Sequence, residues 1–236
     1  MRVYDNNWMQ LRDHLVTDDR IVLPLGSVEQ HGYLSLGTDA ILAERVAVEA
    51  AKPLGIPVLP ALPYGMTPYF VSYTGSVSLR MSTYIAVVED ILDCLYLQGF
   101  RRIALVNGHG GNSPVTGLLR EWLAKPRADK TEVLLHNWWN APRTAAAAAT
   151  FDTDQMHGSW LENFAWTRIA GVRVPTDPAP VHSRDLLGRL SRDEMLALAP
   201  DGNHGGAYER PDAEMEVIWA AGVAETRDVL ENGWLK

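Results

Sequence analysis

The chain has 236 residues, one cysteine and a formal charge of -8, from 21 Lys and Arg against 29 Asp and Glu. At that length roughly 72% of the unfolded surface is buried on folding. With 21% charged and 47% hydrophobic residues, the composition excludes a disulfide miniprotein, a disordered tail and a fibrous repeat.

No basic run offers the phosphate neutralisation that nucleic acid demands, and no stretch approaches the roughly 20 apolar residues of a membrane span. Neither nucleic acid nor a membrane is expected as a partner. The opening MRVYDNNWMQ lacks the apolar segment of a signal peptide, and Cys94 has no second cysteine to pair with, so a cytoplasmic protein is expected.

Short apolar runs alternate with longer periodic ones, the pattern of parallel strands joined by crossover helices. The expected class is α/β, with one domain over residues 1–236. IVLPLG (21–26) reads as a buried strand, and the segment from Asp39 to about Lys52 as an amphipathic helix stopped by Pro53 and Gly55. IPVLPAL (56–62) reads as a second strand, and the long Gly, Pro and aromatic segment after it as a loop serving a site. A helix from about Thr83 to Gln98 ends at Gly99, before the strand RIALVN (102–107). Cys94 falls inside that helix and reads as a small buried hydrophobe. After GHGGNS come a third helix, the strand EVLLHNWW (132–139), an alanine-rich helix at 145–149, a Pro, Asp and Gly rich stretch (171–211) and a final amphipathic helix (213–231).

Four patches set His or a carboxylate beside glycines at or beyond a strand end: GSVEQHGYLSLGTD, NGHGGN, MHGSWLEN and DGNHGG. In open parallel sheets the ligand crevice lies there. Glu29 and His31, two apart, point the same way in an extended segment, and Asp39 follows at a helix start. His109 sits in the glycine turn after the third strand, and His157 and Glu162 flank a helix start at Ser159. Each has an ordinary reading too: Asp39 with Thr38 as a helix cap, Glu29 and His31 as a solvated pair, His109 as a backbone-bonded histidine. Their conjunction points to a shared cation, because buried carboxylates and imidazoles are costly unless paired or bound to one. The ligand types suit zinc, manganese or iron(II), and the absence of cysteine from every patch argues for an open, catalytic site. There is no GxSxG elbow and no HExxH helix. GHGGNS imitates a dinucleotide loop, but Ser113 replaces its last glycine.

LPLGSVEQHG, LGTD, TGSVSL, NGHGGN and HGSWLEN, in this order, resemble blocks of the creatininase family of metal-dependent amidohydrolases, over residues 21–165. The resemblance implies a three-layer αβα sandwich with a mostly parallel central sheet and a homo-oligomer, commonly a hexamer. It implies two divalent ions per chain, one held by Glu29, Asp39 and His109 and one by His31, Asp39 and Glu162, with Asp39 bridging. Three departures stand out. HGYLSLGTD is one residue shorter than the family's usual block and lacks its second histidine; Gly111 stands where creatininase has glutamate; Ser159 and Trp160 alter the third block.

The implied activity is hydrolysis of a carbon-nitrogen bond in a small-molecule amide or cyclic amide by metal-bound hydroxide, since paired cations lower the pKa of bound water towards about 7. His157 is the expected proton carrier, its ordinary role being a partner of Glu162. Tyr69, Trp138, Trp139 and Trp160 are expected against a planar substrate or else in the core or an oligomer interface, and His204 is expected to touch substrate from its loop or from a neighbouring subunit. The alternatives are a metallopeptidase or lactonase on a short peptide or lactone, and a metal- or ligand-binding protein without turnover.

Overall fold

A computed structural model describes residues 1–126 and 129–235, with a short first helix, α1 (Trp8–His14), ahead of the sheet. Three parallel strands, β1 (Arg20–Leu25), β2 (Arg102–Asn107) and β3 (Glu132–Asn137), lie in the order β1-β2-β3. Ile21 stands opposite Ile103, which stands opposite Val133. Strands buried on both sides need apolar residues at every position, and the alternation assigns each to a layer. Ile21, Leu23, Leu25, Ile103 and Leu105 face α3 (Met81–Gln98) and α4 (Val115–Ala124). Val22, Ala104 and Val106 face α2 (Thr38–Ala51), α5 (Pro142–Ala149) and α8 (Asp212–Asn232). The result is the expected three-layer αβα sandwich. Among the described residues, no helix is long and apolar enough to cross a membrane.

Residues 56–62 run parallel to β1 but pair with it only through the isolated bridges Val22 to Val58 and Leu25 to Leu62, Val58 also bridging Arg2. Pro57 and Pro60 have no N–H to donate, so a continuous ladder cannot close. Hydrogen bonds remain from Val22 N to Pro57 O, Leu59 N to Val22 O and Leu62 N to Pro24 O, each 2.9 Å. On the outer side, Val58 N donates to Met1 O and Val3 N to Val58 O, both at 2.8 Å.

Two expectations are corrected. Cys94 is exposed: the buried stripe of α3 runs through Tyr84, Val88, Leu92 and Leu95, which turns position 94 outward. The helix expected at Ser159 is only a single 3-10 turn, Trp160–Glu162. The 171–211 stretch carries two short helices, α6 (Arg184–Leu187) and α7 (Arg192–Leu198).

Candidate metal centre

The site lies beyond the carboxyl ends of the three strands. The loop after β1 carries Glu29 and His31, the glycine turn after β2 carries His109, and α2 brings Asp39 over both in its first turn. Gly108 makes this possible, since a Cβ there would meet Asp39 O at 2.5 Å. Asp39 does not cap the helix: the capping position is Gly37, without a side-chain bond. Its Oδ1 lies 3.0 Å from His31 Nε2 and its Oδ2 3.0 Å from His109 Nδ1. Glu29 Oε1 lies 3.2 Å from His109 Nδ1, and Glu162 Oε1 3.8 Å from His31 Nε2. Two donor groups result, Glu29, Asp39 and His109, and His31, Asp39 and Glu162, each with its ligand atoms within 4.8 Å of one another. A third group, Glu29, His31 and His157, overlaps both.

Hydrogen bonds fix the rings. His31 Nδ1 lies 3.1 Å from Glu29 O, His109 Nε2 3.0 Å from Met66 O and His157 Nε2 2.7 Å from Gln30 O. A carbonyl accepts only, so each of these nitrogens carries the proton, and neutral rings of His31 and His109 would turn a bare nitrogen towards a carboxylate at 3.0 Å. Only a cation resolves that opposition, either a second ring proton or a metal ion. Glu29 Oε1 and Asp39 Oδ2 are buried and face His109 Nδ1, at 3.2 and 3.0 Å, so a bare Nδ1 leaves both without a hydrogen bond, as oxygens reserved for a metal would be. Their companions are held in place: Ser27 Oγ donates to Glu29 Oε2 and Gly158 N to Glu162 Oε2, both at 2.7 Å. Such outer contacts orient metal ligands.

The electrostatics follow from burial and from these charges. Burial, which alone lowers the pKa of His31, is outweighed by Asp39 and Glu162, and the ring is raised to about 10. Burial also opposes the charged form of His109, but Glu29 and Asp39 raise it well above its ordinary value. Burial favours neutral Asp39, yet His31 and His109 hold it low. Glu162 is pushed up to about 7 by burial, with a further push from Asp39. His157 is lowered by burial, His31 and His204, which keeps it neutral and able to accept a proton. Its ring stacks on Phe70, 4.5 Å between centroids and 27° between planes, and lies 4.5 Å from the ring of His31.

A cavity of about 480 Å³ opens onto Glu29, Asp39, His109 and Glu162, a size typical of small-molecule sites. Tyr69, Trp138, Trp139, His157 and His204 are on its wall. Burial raises Tyr69 to about 12, so its hydroxyl stays protonated, and lowers His204 to about 4, with His182 and His31 contributing. Trp160 is not on the wall. It is 0% exposed, packed in the core beneath α2 and α8, with its indole N–H donated to Asp154 O at 2.9 Å. The indole inserted into this block fills the core. Sequence reasoning missed Ser27, Phe70 and Met66. Ser27 precedes Glu29 by two residues, so strand alternation signals it; Phe70 and the Met66 carbonyl act from the long loop and leave no such signal.

A family model described as creatinine amidohydrolase matches residues 5–235. Over 224 residues the chain is 31% identical to a mycofactocin precursor peptide peptidase of Mycobacterium ulcerans, covering 85% of this chain and 80% of that protein. It is 27% identical over 164 residues to a 3-dehydro-scyllo-inosose hydrolase of Thermotoga maritima, with 67% of this chain and 52% of that protein matched. With a creatinine amidohydrolase of Pseudomonas putida it shares 33% identity over 113 residues, 45% of this chain and 44% of that one. The matches to these last two thus span about half of each relative. Among solved structures, a creatininase superposes with a TM-score of 0.81 at 22% identity, covering 100% of this chain and 98% of that one. A manganese form of creatininase gives 0.78 at 21% identity, covering 100% and 99%.

Proposed function

The chain belongs to the creatininase family, and on that premise we propose that it is a dinuclear metal-dependent hydrolase of a carbon-nitrogen bond in a small amide or cyclic amide. The observation that carries this reading is Asp39, whose two oxygens serve two separate donor groups with His31 and His109. Glu29, Asp39 and His109 would hold one ion, and His31, Asp39 and Glu162 the other. The donor set fits hard or borderline divalent ions, zinc first, then manganese or iron(II). When bound, such a pair supplies an activated water and polarises the substrate carbonyl.

The chain's own residues do the rest. His157, held neutral with Nε2 donated to the Gln30 carbonyl, presents Nδ1 on the Glu29 side, 3.8 Å from Oε1. In this reading it takes up a proton there and passes it to the leaving nitrogen. Tyr69 offers a protonated hydroxyl, and Trp138, Trp139 and His204 line the remaining wall. A second reading, trimming of a short peptide, is favoured by the likeness to the peptide peptidase over 85% of this chain. It uses the same residues.

The test is metal analysis of zinc-loaded protein, expected to give about two ions per chain, with activity screening against formamides, hydantoin-like rings, lactams and short peptides. His109→Ala and Glu162→Ala should each lower the metal content while the circular dichroism stays native, and Asp39→Asn should lower it most. Full metal retention in all three variants would overturn the ligand assignment.

A further inference from the structure

The cavity has a second set of polar groups, apart from the carboxylates on its floor. Arg184 is the one Lys or Arg among the described residues of the wall. It is exposed, the adjacent Asp185 is engaged by Arg189 at 2.8 Å, and among the described residues no carboxylate pairs with the Arg184 guanidinium. Trp138 is 2% exposed, and its Nε1 has no hydrogen-bond partner. The benzo edge of that indole packs against Gly222 of α8, which turns Nε1 to the opposite edge. His204, 4% exposed, also leaves its Nε2 unpartnered.

Guanidinium and indole groups only donate. A buried donor without an acceptor is costly, and a guanidinium without a counter-ion on the wall of an otherwise acidic cavity is suited to bidentate capture of a carboxylate. Resting on the hydrolase reading, we infer that the substrate carries a carboxylate as well as the scissile amide. Arg184 and Trp138 Nε1 hold that carboxylate, and the amide carbonyl faces Glu29, Asp39 and Glu162. The substrate class is therefore an N-acylated amino acid, or a cyclic amide bearing an acid group, rather than a neutral amide.

The test compares N-benzoylglycine with N-benzoylglycinamide, two probes that differ only in the charged group. Affinities are measured by ligand-observed NMR on the chelator-treated and the zinc-loaded protein. The acid should bind about tenfold more tightly in both forms. Arg184→Ala should bring the acid down to the affinity of the amide, Arg184→Lys should keep part of the preference, and Trp138→Phe, which removes only the N–H, should weaken the acid a few-fold. Equal binding of the two probes, binding of neither, or a preference that survives Arg184→Ala would overturn the inference. A protein that holds two zinc ions and hydrolyses amides but binds both probes equally would sink this inference alone. One that prefers the acid through Arg184 but retains no metal would instead sink the hydrolase reading.

Discussion

Removing the carboxylate of Asp39 affects both donor groups at once, whereas His109 and Glu162 each belong to one. The same crowding sets the pH response. His31 is raised from 6.5 to about 10, so the stability its charge contributes is fully present below pH 6.5 and is lost as pH rises through 10. Glu162, raised from 4.5 to about 7, holds its proton longer when folded, and that contribution also fades as pH rises through 7. Chelator-treated protein should therefore melt at lower temperature at pH 9.5 than at pH 7. Zinc needs the deprotonated ligands, so the stabilisation it adds should grow over the same interval, and its binding at pH 7 should release protons. Differential scanning calorimetry with and without zinc reads both; a chelated protein that gains stability from pH 7 to 9.5 contradicts the assignment. For His157→Ala, turnover on any substrate found should fall by about 10²- to 10⁴-fold with near-normal metal content. Unchanged turnover would remove its part in proton transfer.

At the scale of elements, the glycine turn after β2 separates two neighbours that look alike in sequence. A Cβ on Gly111 would lie 2.1 Å from Met66 O, 2.4 Å from His109 Nε2 and 2.9 Å from the Tyr69 hydroxyl, whereas one on Gly110 meets nothing within 4 Å. Gly111→Ala should push the Met66 carbonyl off His109, costing about 1–3 kcal/mol and loosening the metal. Gly110→Ala should stay within about 0.5 kcal/mol of the parent. Denaturant melts and zinc titrations of the two variants check this, and equal behaviour would refute it. The same contacts leave no room at position 111 for a glutamate side chain, the residue by which this chain departs from creatininase. Much of this level was legible in advance. Strand and helix periods marked β1, β2, β3, α2, α3, α4 and α8, because their burial patterns follow from the layers they pack between. The side chains of the two donor groups stood out through their conjunction, since each alone has an ordinary reading and only several together at one sheet edge point to a shared cation. Trp160 was misread because an indole next to a site residue carries no sign of which way it turns. Arg184 lay hidden among other polar residues, since its distinction is the lack of a partner, which only coordinates display.

For the whole molecule, both faces of the sheet are covered by helices, yet large apolar side chains remain in water near the chain start. Tyr4 is 70% exposed, Trp8 68% and Val16 80%. We propose that these side chains lie at an interface between copies of the chain, in the homo-oligomer, a hexamer in the first instance, that the resemblance implies. Light scattering on a sizing column should give a multiple of the 26.1 kDa chain mass, and a monomer at micromolar concentration would refute it. The prolines of segment 56–62 bear on how such copies meet. An open sheet edge is a template on which strange chains can polymerise, and natural proteins blunt it. Beside β1 that border is already taken by a segment short of amide donors, itself flanked by residues 1–3. On that side, copies of this molecule can join through side chains but have little means of extending one another's sheets into fibres, so crowding them together around a shared axis carries less risk of amyloid-like growth.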